Sequence, residues 1–284
     1  MTPIQNILVP TDFSETSNNA FLYAHRMAQV LGASLRVVNI QSIPIMDDFS
    51  YSANFLGDMR QSAQASLDEF VHGDGGDTQI ITKVQIKTEV YLGEPVDYIS
   101  GLSKRPDVDL IVMGSKGIHN LTDRLFGSVA AGVAKAAYCP VLIIPDSATF
   151  GGFHLMLYTV SYDLAERKTV KKFIDFAKFF KAGVRFLHVK QSDEPTEIFD
   201  EKAFHKTIFD ETTHVHYIFE TVTNKSIIQG VNEYVKTKDV DLLCVITKHR
   251  GLWEELTHTS VSKMFVHELK LPVLILHSEY PGLE

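Results

Sequence analysis

The sequence predicts an α/β chain of two tandem units, each a five-stranded, mainly parallel sheet with helices on both faces. Three observations predict it. Short apolar runs alternate with helix-period segments along the chain. The length, 284 residues, is about that of two domains. The chain also repeats itself. Asp109-Leu110-Ile111-Val112-Met113 resembles Asp241-Leu242-Leu243-Cys244-Val245, and Pro140-Val141-Leu142-Ile143 resembles Pro272-Val273-Leu274-Ile275, both at an offset of 132 residues. Leu35–Ile40 resembles Val184–Val189 at an offset of 149, so the second copy is shorter in its middle. Repeats at this spacing place the domains at 1–147 and 151–284, with a seam near Asp146–Gly152.

The elements of the first unit follow in order. Ile7–Val9 reads as a short buried strand. Ala20, Phe21, Ala24, Met27, Ala28 and Leu31 recur at helical spacing, and Gly32 is a C-terminal stop. Leu35–Ile40 is the next strand, and a polar stretch follows around Asp47–Ser52. Gln61–Val71 is a helix ended by Gly73-Asp74-Gly75-Gly76. Val84–Val90 alternates as a strand, and Pro95 opens a helix through Leu102. Leu110–Met113 is a strand, Ser128–Ala137 a helix and Val141–Ile144 the last strand. Near-continuous apolar strands point to a sheet covered on both faces. Such a sheet binds ligands beyond the carboxyl ends of its strands, where the strand order reverses, so function is expected just after strands one and four.

Composition excludes several classes. With 45% hydrophobic and 22% charged residues the chain is neither disordered nor collagen-like. The net charge of −8 makes a poor grip for a phosphodiester backbone, and neither half is basic, so no nucleic-acid partner is expected. No apolar run reaches the ~18 residues of a spanning helix, so no membrane partner is expected. Met1–Asn6 carries no basic n-region. Cys139 and Cys244 are far apart and form no CxxC, which suits a reducing compartment. The expected location is cytoplasmic.

Strand one is followed by Pro10-Thr11-Asp12-Phe13-Ser14, and strand four by Gly114-Ser115-Lys116-Gly117, then nine residues, then Gly127-Ser128 and a helix. Gly114 and Gly117 would let the backbone turn sharply and come close to a ligand. At Gly127 and Ser128, free N–H groups and the helix dipole favour an anion. The Ser115 and Ser128 hydroxyls add donors. Asp12 could accept from a base amino group or a ribose hydroxyl, or could simply cap the next helix.

On Ile7–Ser14, Gly93-Glu94-Pro95, Gly114-x2-Gly117-x9-Gly127-Ser128 and Cys139–Ile143, residues 1 to about 146 resemble a universal stress protein, and the whole chain resembles the tandem type. The resemblance implies Rossmann-like domains of the adenine nucleotide alpha hydrolase-like kind. It also implies a nucleotide site of Pro10, Thr11, Asp12, Ile40, Met113, Gly114, Ser115, Gly117, Gly127, Ser128 and Val129, beside which Lys116 could offer charge or stay a solvated loop residue. The ligand it implies is ATP, or ADP or AMP, with magnesium as a bridging cation. Ala130 stands where many ATP-binding relatives have a second hydroxyl. An intramolecular pseudo-dimer is expected to pair the strands at Val141 and Val273, with a homodimer and an unidentified protein partner left open.

In the second half, Gly114 becomes Ile246, Gly117 becomes His249 and Gly127 becomes Thr259; Ser128 is kept in type as Ser260, and Asp12 becomes Ser161, with Asp163 nearby. A nucleotide site is therefore expected in the first half only. The chain reads as a stress-response sensor or regulator that binds an adenine nucleotide, with no catalytic residues assigned. The alternatives are a slow nucleotide hydrolase, drawing on Lys116, His119, Asp123 and Arg124, and a nucleotide-free scaffold. Smaller features have plain readings. His214-x-His216 could present two imidazoles on one strand face, but packing at a strand start is the simpler account. Cys139 and Cys244 read as small buried residues. Trp253, Leu252 and Leu256 read as packing, and Lys168, Lys171 and Lys172 as a wet helix face.

Overall fold

A computed structural model describes residues 3–43, 53–72, 84–116, 127–160, 167–191, 204, 206, 215–247 and 271–277. The chain divides into two compact units that part between Phe150 and Gly151. The first holds β1 (Asn6–Thr11), α1 (Glu15–Leu31), β2 (Ser34–Gln41), α2 (Ala53–His72), β3 (Ile86–Leu92), α3 (Pro95–Leu102), β4 (Leu110–Gly114), α4 (Ser128–Ala136) and β5 (Val141–Ile144). The second holds β6 (Leu155–Val160), α5 (Arg167–Phe180), β7 (Gly183–Gln191), β8 (Tyr217–Asn224), α6 (Ile227–Thr237), β9 (Leu242–Thr247) and β10 (Val273–His277).

Within the first unit the strand order is β3-β2-β1-β4-β5, and every pairing is parallel. The second unit repeats it as β8-β7-β6-β9-β10, again parallel throughout. The central strands are apolar because both faces are covered: Ile7, Leu8, Val9, Leu110, Ile111 and Val112 are all fully buried. In the first unit the order reverses between β1 and β4, which puts a crevice beyond their carboxyl ends.

Local chemistry explains the ends of the helices. Ser14 caps α1, its hydroxyl accepting from the Ser17 N–H at 3.1 Å. Gly32 ends it in the left-handed region at φ 67°, and the Ala33 N–H closes the turn on Ala28 O. Pro95 opens α3, where its missing N–H is harmless. Two elements differ from the sequence expectation. Helix α2 begins at Ala53 rather than Gln61, because the helical spacing of Ala63 and Leu67 continues back through Met59 and Leu56. Strand β3 runs Ile86–Leu92, two residues later than expected, because its register on β2 joins Leu35 to Ile86 and Gln41 to Leu92. Residues 148–150 stay with the first unit: Asn19 Nδ2 donates to Pro145 O and Ala148 O, each at 2.9 Å, and Phe150 meets Tyr23 edge-on.

The repeat is structural as well as sequential. Asp109 Oδ2 accepts from the Gln5 and Asn6 N–H groups, each at 2.9 Å, and Asp241 Oδ2 accepts from His154 and Leu155 at 2.6 and 2.8 Å. The aspartate that opens each repeated strand thus ties it to the start of its neighbour. Arg36 on β2 meets Glu89 on β3, and Arg185 on β7 meets Glu220 on β8 in the same way. Asn39 donates to the last carbonyl of β1, Thr11 O, at 2.8 Å, and His188 lies 3.3 Å from the last carbonyl of β6, Val160 O.

Candidate functional site

Beyond β1 and β4 of the first unit lies an open cleft of about 200 Å³. Pro10, Thr11, Asp12, Ile40, Met113, Gly114, Lys116, Gly127, Ser128 and Val129 line it, together with Ser17, Pro95, Ile99 and Ala130. Strand ends supply the first group through Gly114. The α4 start supplies Gly127 to Ala130, and one face of α3 supplies Pro95 and Ile99. Pro95 and Ile99 are four residues apart on a helix that proline opens, so their shared face was readable from spacing. Ser17 was hidden because its place depends on the turn before α1. Ser115 is drawn inward, 2% exposed, and does not line the cleft. Gly117 lies outside the described residues, as do His119, Asp123 and Arg124.

The start of α4 is the anion-accepting end. Gly127 precedes it with no side-chain cap, and among the described residues no group accepts from the N–H of Ser128, Val129 or Ala130. Three helix-start amides with the dipole behind them favour a negative group, and the Ser128 hydroxyl and the Lys116 ammonium stand beside them. Two backbone donors nearby are already engaged, one of them the Gly127 N–H that was expected to be free. The Ser115 N–H donates to Ile144 O at 3.0 Å, extending the β4–β5 ladder, and the Gly127 N–H donates to Ser115 O at 2.7 Å. That second bond clamps residues 115 and 127 together.

Gly114 has a second reason besides the expected one. A Cβ there would come within 2.9 Å of Thr16 Cγ2 and 3.0 Å of the Thr16 main chain. The glycine admits the first turn of α1 against the end of β4, and it also lines the cleft.

Asp12 is a second polar group of the lining. It is not the cap of α1; Ser14 is. Asp12 Oδ1 instead accepts from the Ser14 N–H at 3.1 Å and the Ser14 hydroxyl at 2.6 Å. Beneath it, buried polar groups lock the β1–α1 turn. Thr11 and Ser17 hydroxyls meet at 3.0 Å, the Phe13 N–H donates to Thr11 Oγ1 at 3.0 Å, and Ser17 Oγ donates to Ser14 O at 2.9 Å. The lining also includes the apolar Ile40, Met113, Pro95 and Ile99. A carboxylate, apolar side chains and an open helix start around one cleft suit a ligand with a polar-edged flat group and a phosphate.

In the second half Ile246 holds the place of Gly114 and is buried, 4% exposed. Ser161, Asp163, His249, Thr259, Ser260 and the Leu252, Trp253 and Leu256 cluster lie outside the described residues. Lys168 and Lys171 are exposed on α5, and Lys171 pairs with Asp175 at 3.6 Å. His216 is exposed just before β8, not packed as expected, because β8 is an outer strand; His214 lies outside the described residues. No group of three or more metal-ligating side chains occurs among the described residues. Burial pushes the Cys139 thiol up to about 12, with Asp109 adding to it, and burial alone raises Cys244 well above its usual value. Neither is a thiolate at neutral pH.

The first unit is a doubly wound parallel α/β domain with an open cleft at its switch point. The particular family follows from comparison: a model of the universal stress protein family matches residues 3–145, and the chain belongs to that family. A universal stress protein of Methanocaldococcus jannaschii, MJ0531, is 29% identical over 147 residues, 49% of this chain and 81% of that one. The crystal structure of a universal stress protein from Archaeoglobus fulgidus aligns with a TM-score of 0.72 at 18% identity, covering 96% of both chains. A universal stress protein solved in complex with cAMP is 26% identical, with a TM-score of 0.40, and covers 51% of this chain and all of its own.

Proposed function

We propose that the first-half cleft binds an adenine nucleotide, ATP or its close relative ADP or AMP, and that the protein is a cytoplasmic, nucleotide-dependent sensor or regulator in the stress response. One observation carries the reading: the α4 start, whose first three amides have no acceptor among the described residues, and the Asp12 carboxylate line one cleft together with apolar side chains. In this reading the base lies against Ile40, Met113 and Ile99, and Asp12 accepts from the base or ribose. The phosphates lie at Ser128, Val129 and Ala130, with Lys116 contributing charge. Magnesium would be held by the phosphates themselves, in keeping with the lack of a ligand cluster among the described residues. The absence of a hydroxyl at Ala130, 3% exposed in the cleft wall, weakens the phosphate end by one donor. The same reading includes the intramolecular pseudo-dimer of the two halves.

The test is mass spectrometry of the small molecule released by heat-denatured protein, followed by calorimetric titration with ATP, ADP, AMP and cyclic AMP. The expected result is one site per chain. Two equivalent sites, or no heat with any of the four, would overturn the reading.

A further inference from the structure

The turn that presents Asp12 to the cleft contains a strained residue. Phe13 has φ 64°, one of two non-glycine residues with positive φ among those described. For a bulky side chain this is an outlier, sustained only when the surroundings over-determine it. The surroundings do so here. The Phe13 N–H is held by Thr11 Oγ1, whose hydroxyl is in turn fixed by Ser17. The Phe13 ring packs edge-on against Phe70 of α2, centroids 5.7 Å apart at 65°, and Phe70 rests on Phe21 of α1 at 5.4 Å. Phe13 and Phe70 line no part of the cleft.

We infer that Phe13 is a positioning residue for the cleft: its left-handed backbone turns Asp12 toward the ligand, and its ring, braced by Phe70, makes helix α2 part of the affinity of the site. Without that brace the turn has little reason to stay left-handed. Glycine at 13 would accept the same φ but also many others, because it carries no Cβ. The competent turn would then be populated only part of the time, and apparent affinity falls by that fraction. Tyrosine, which stands at the corresponding place in the second half as Tyr162, keeps both the Cβ and the ring.

This inference rests on the nucleotide reading for its ligand, so the experiment has one arm with a ligand and one without. In the first, the full chain and its Phe13→Gly, Phe13→Tyr and Phe70→Leu variants are titrated with ATP and AMP, at a temperature where circular dichroism shows each fully folded. The expected result is an affinity lower by about tenfold in Phe13→Gly and severalfold in Phe70→Leu, with Phe13→Tyr within about twofold of the parent. Equal affinities across the set overturn the inference. In the second arm, hydrogen exchange is followed without ligand at the Phe13 and Ser14 amides, which the turn's own hydrogen bonds protect. Exchange about tenfold faster there in Phe13→Gly and Phe70→Leu, with the central strands unchanged, supports the inference. Unchanged exchange overturns it. Should the parent bind no adenine nucleotide, the nucleotide reading falls and the exchange arm alone decides.

Discussion

The two halves share a scaffold and differ where the first has its cleft. Asp109 and Asp241, Arg36–Glu89 and Arg185–Glu220, and Asn39 and His188 do the same work in both. At the end of the fourth strand, however, Gly114 in the first half corresponds to Ile246 in the second. The interiors differ too. The first half is built on aliphatic strands. The second is built on an aromatic cluster in which Tyr158, Phe173, Phe186 and Phe204 touch in succession. Groups that join one strand to its neighbour persist in both copies, because losing one unpairs backbone. Residues at the strand ends are held only by what lies beyond the sheet, and there the copies have diverged.

The comparison can be broken most forcefully at the divergent strand end. Gly114→Ile should destabilise the first unit by about 3 kcal/mol or more, since its Cβ meets Thr16 main chain, which cannot rotate away. Nucleotide binding should be lost with it. Ile246→Ala should cost about 2–5 kcal/mol by cavity formation and should create no second site. Urea denaturation and calorimetry check both. A second site in Ile246→Ala would mean that one side chain alone separates the halves.

The shared aspartates come next. Asp109→Ala and Asp241→Ala each remove a carboxylate that accepts two backbone N–H groups, and each should cost about 2–3 kcal/mol in denaturant unfolding. Similar losses would confirm that the two groups are true counterparts. A loss confined to one half would show that the repeat is only geometric.

The ends of the first helices offer a finer contrast. At the place of Gly32 the second half has Lys181, which takes φ 54°. Gly32→Ala should destabilise by about 1 kcal/mol, and Lys181→Gly should stabilise by up to about 1 kcal/mol. Thermal midpoints moving in opposite directions are expected.

The smallest effect concerns pH. His25 of α1 corresponds to Ile174 of α5 at the 149 offset, and it is 1% exposed with neither ring nitrogen paired among the described residues. Burial, with Arg26 adding to it, lowers its pKa below 6.5. The unfolded chain therefore binds the proton more readily, and stability falls as pH drops below 6.5. His25→Ile should flatten that slope. At lower pH the glutamates take over. Burial raises Glu89 and Glu220, but bonds from Lys87 and Tyr91 in one case and from Tyr234 and Arg185 in the other, with the arginine charges, leave both below 4.5. Their stabilisation is present above that value and is lost as pH falls through their folded pKa values. Unfolding followed from pH 8 to pH 3 separates the two windows.

Much of the fold was legible because its signals are local. Pro95 and Leu102 bound α3, Val141–Ile144 is a strand of the expected length, and Gly32 stops α1 in the conformation that glycine favours. The start of α2 was legible but missed, since Leu56, Met59 and Ala63 carry the helical spacing back from Leu67. In the cleft, the strand ends and the α4 start were readable from motif and spacing. The Gly127 amide was misjudged because its partner, the Ser115 carbonyl, is brought to it only by loop closure. Ser17 escaped notice because a serine inside a helix carries no signal of its own.

By itself the sequence determined which segments become strands and helices, that they come in two copies, and that the first copy keeps the glycines and the aspartate of its motif. Periodicity, capping residues and repetition act over a few neighbours or by direct comparison, so they survive in one dimension. Only the tertiary structure decided what Gly114 is for, which amides remain open and how Phe13 is held. Each of those depends on an atom tens of residues away, whose distance is set by strand order and helix packing rather than by any local preference.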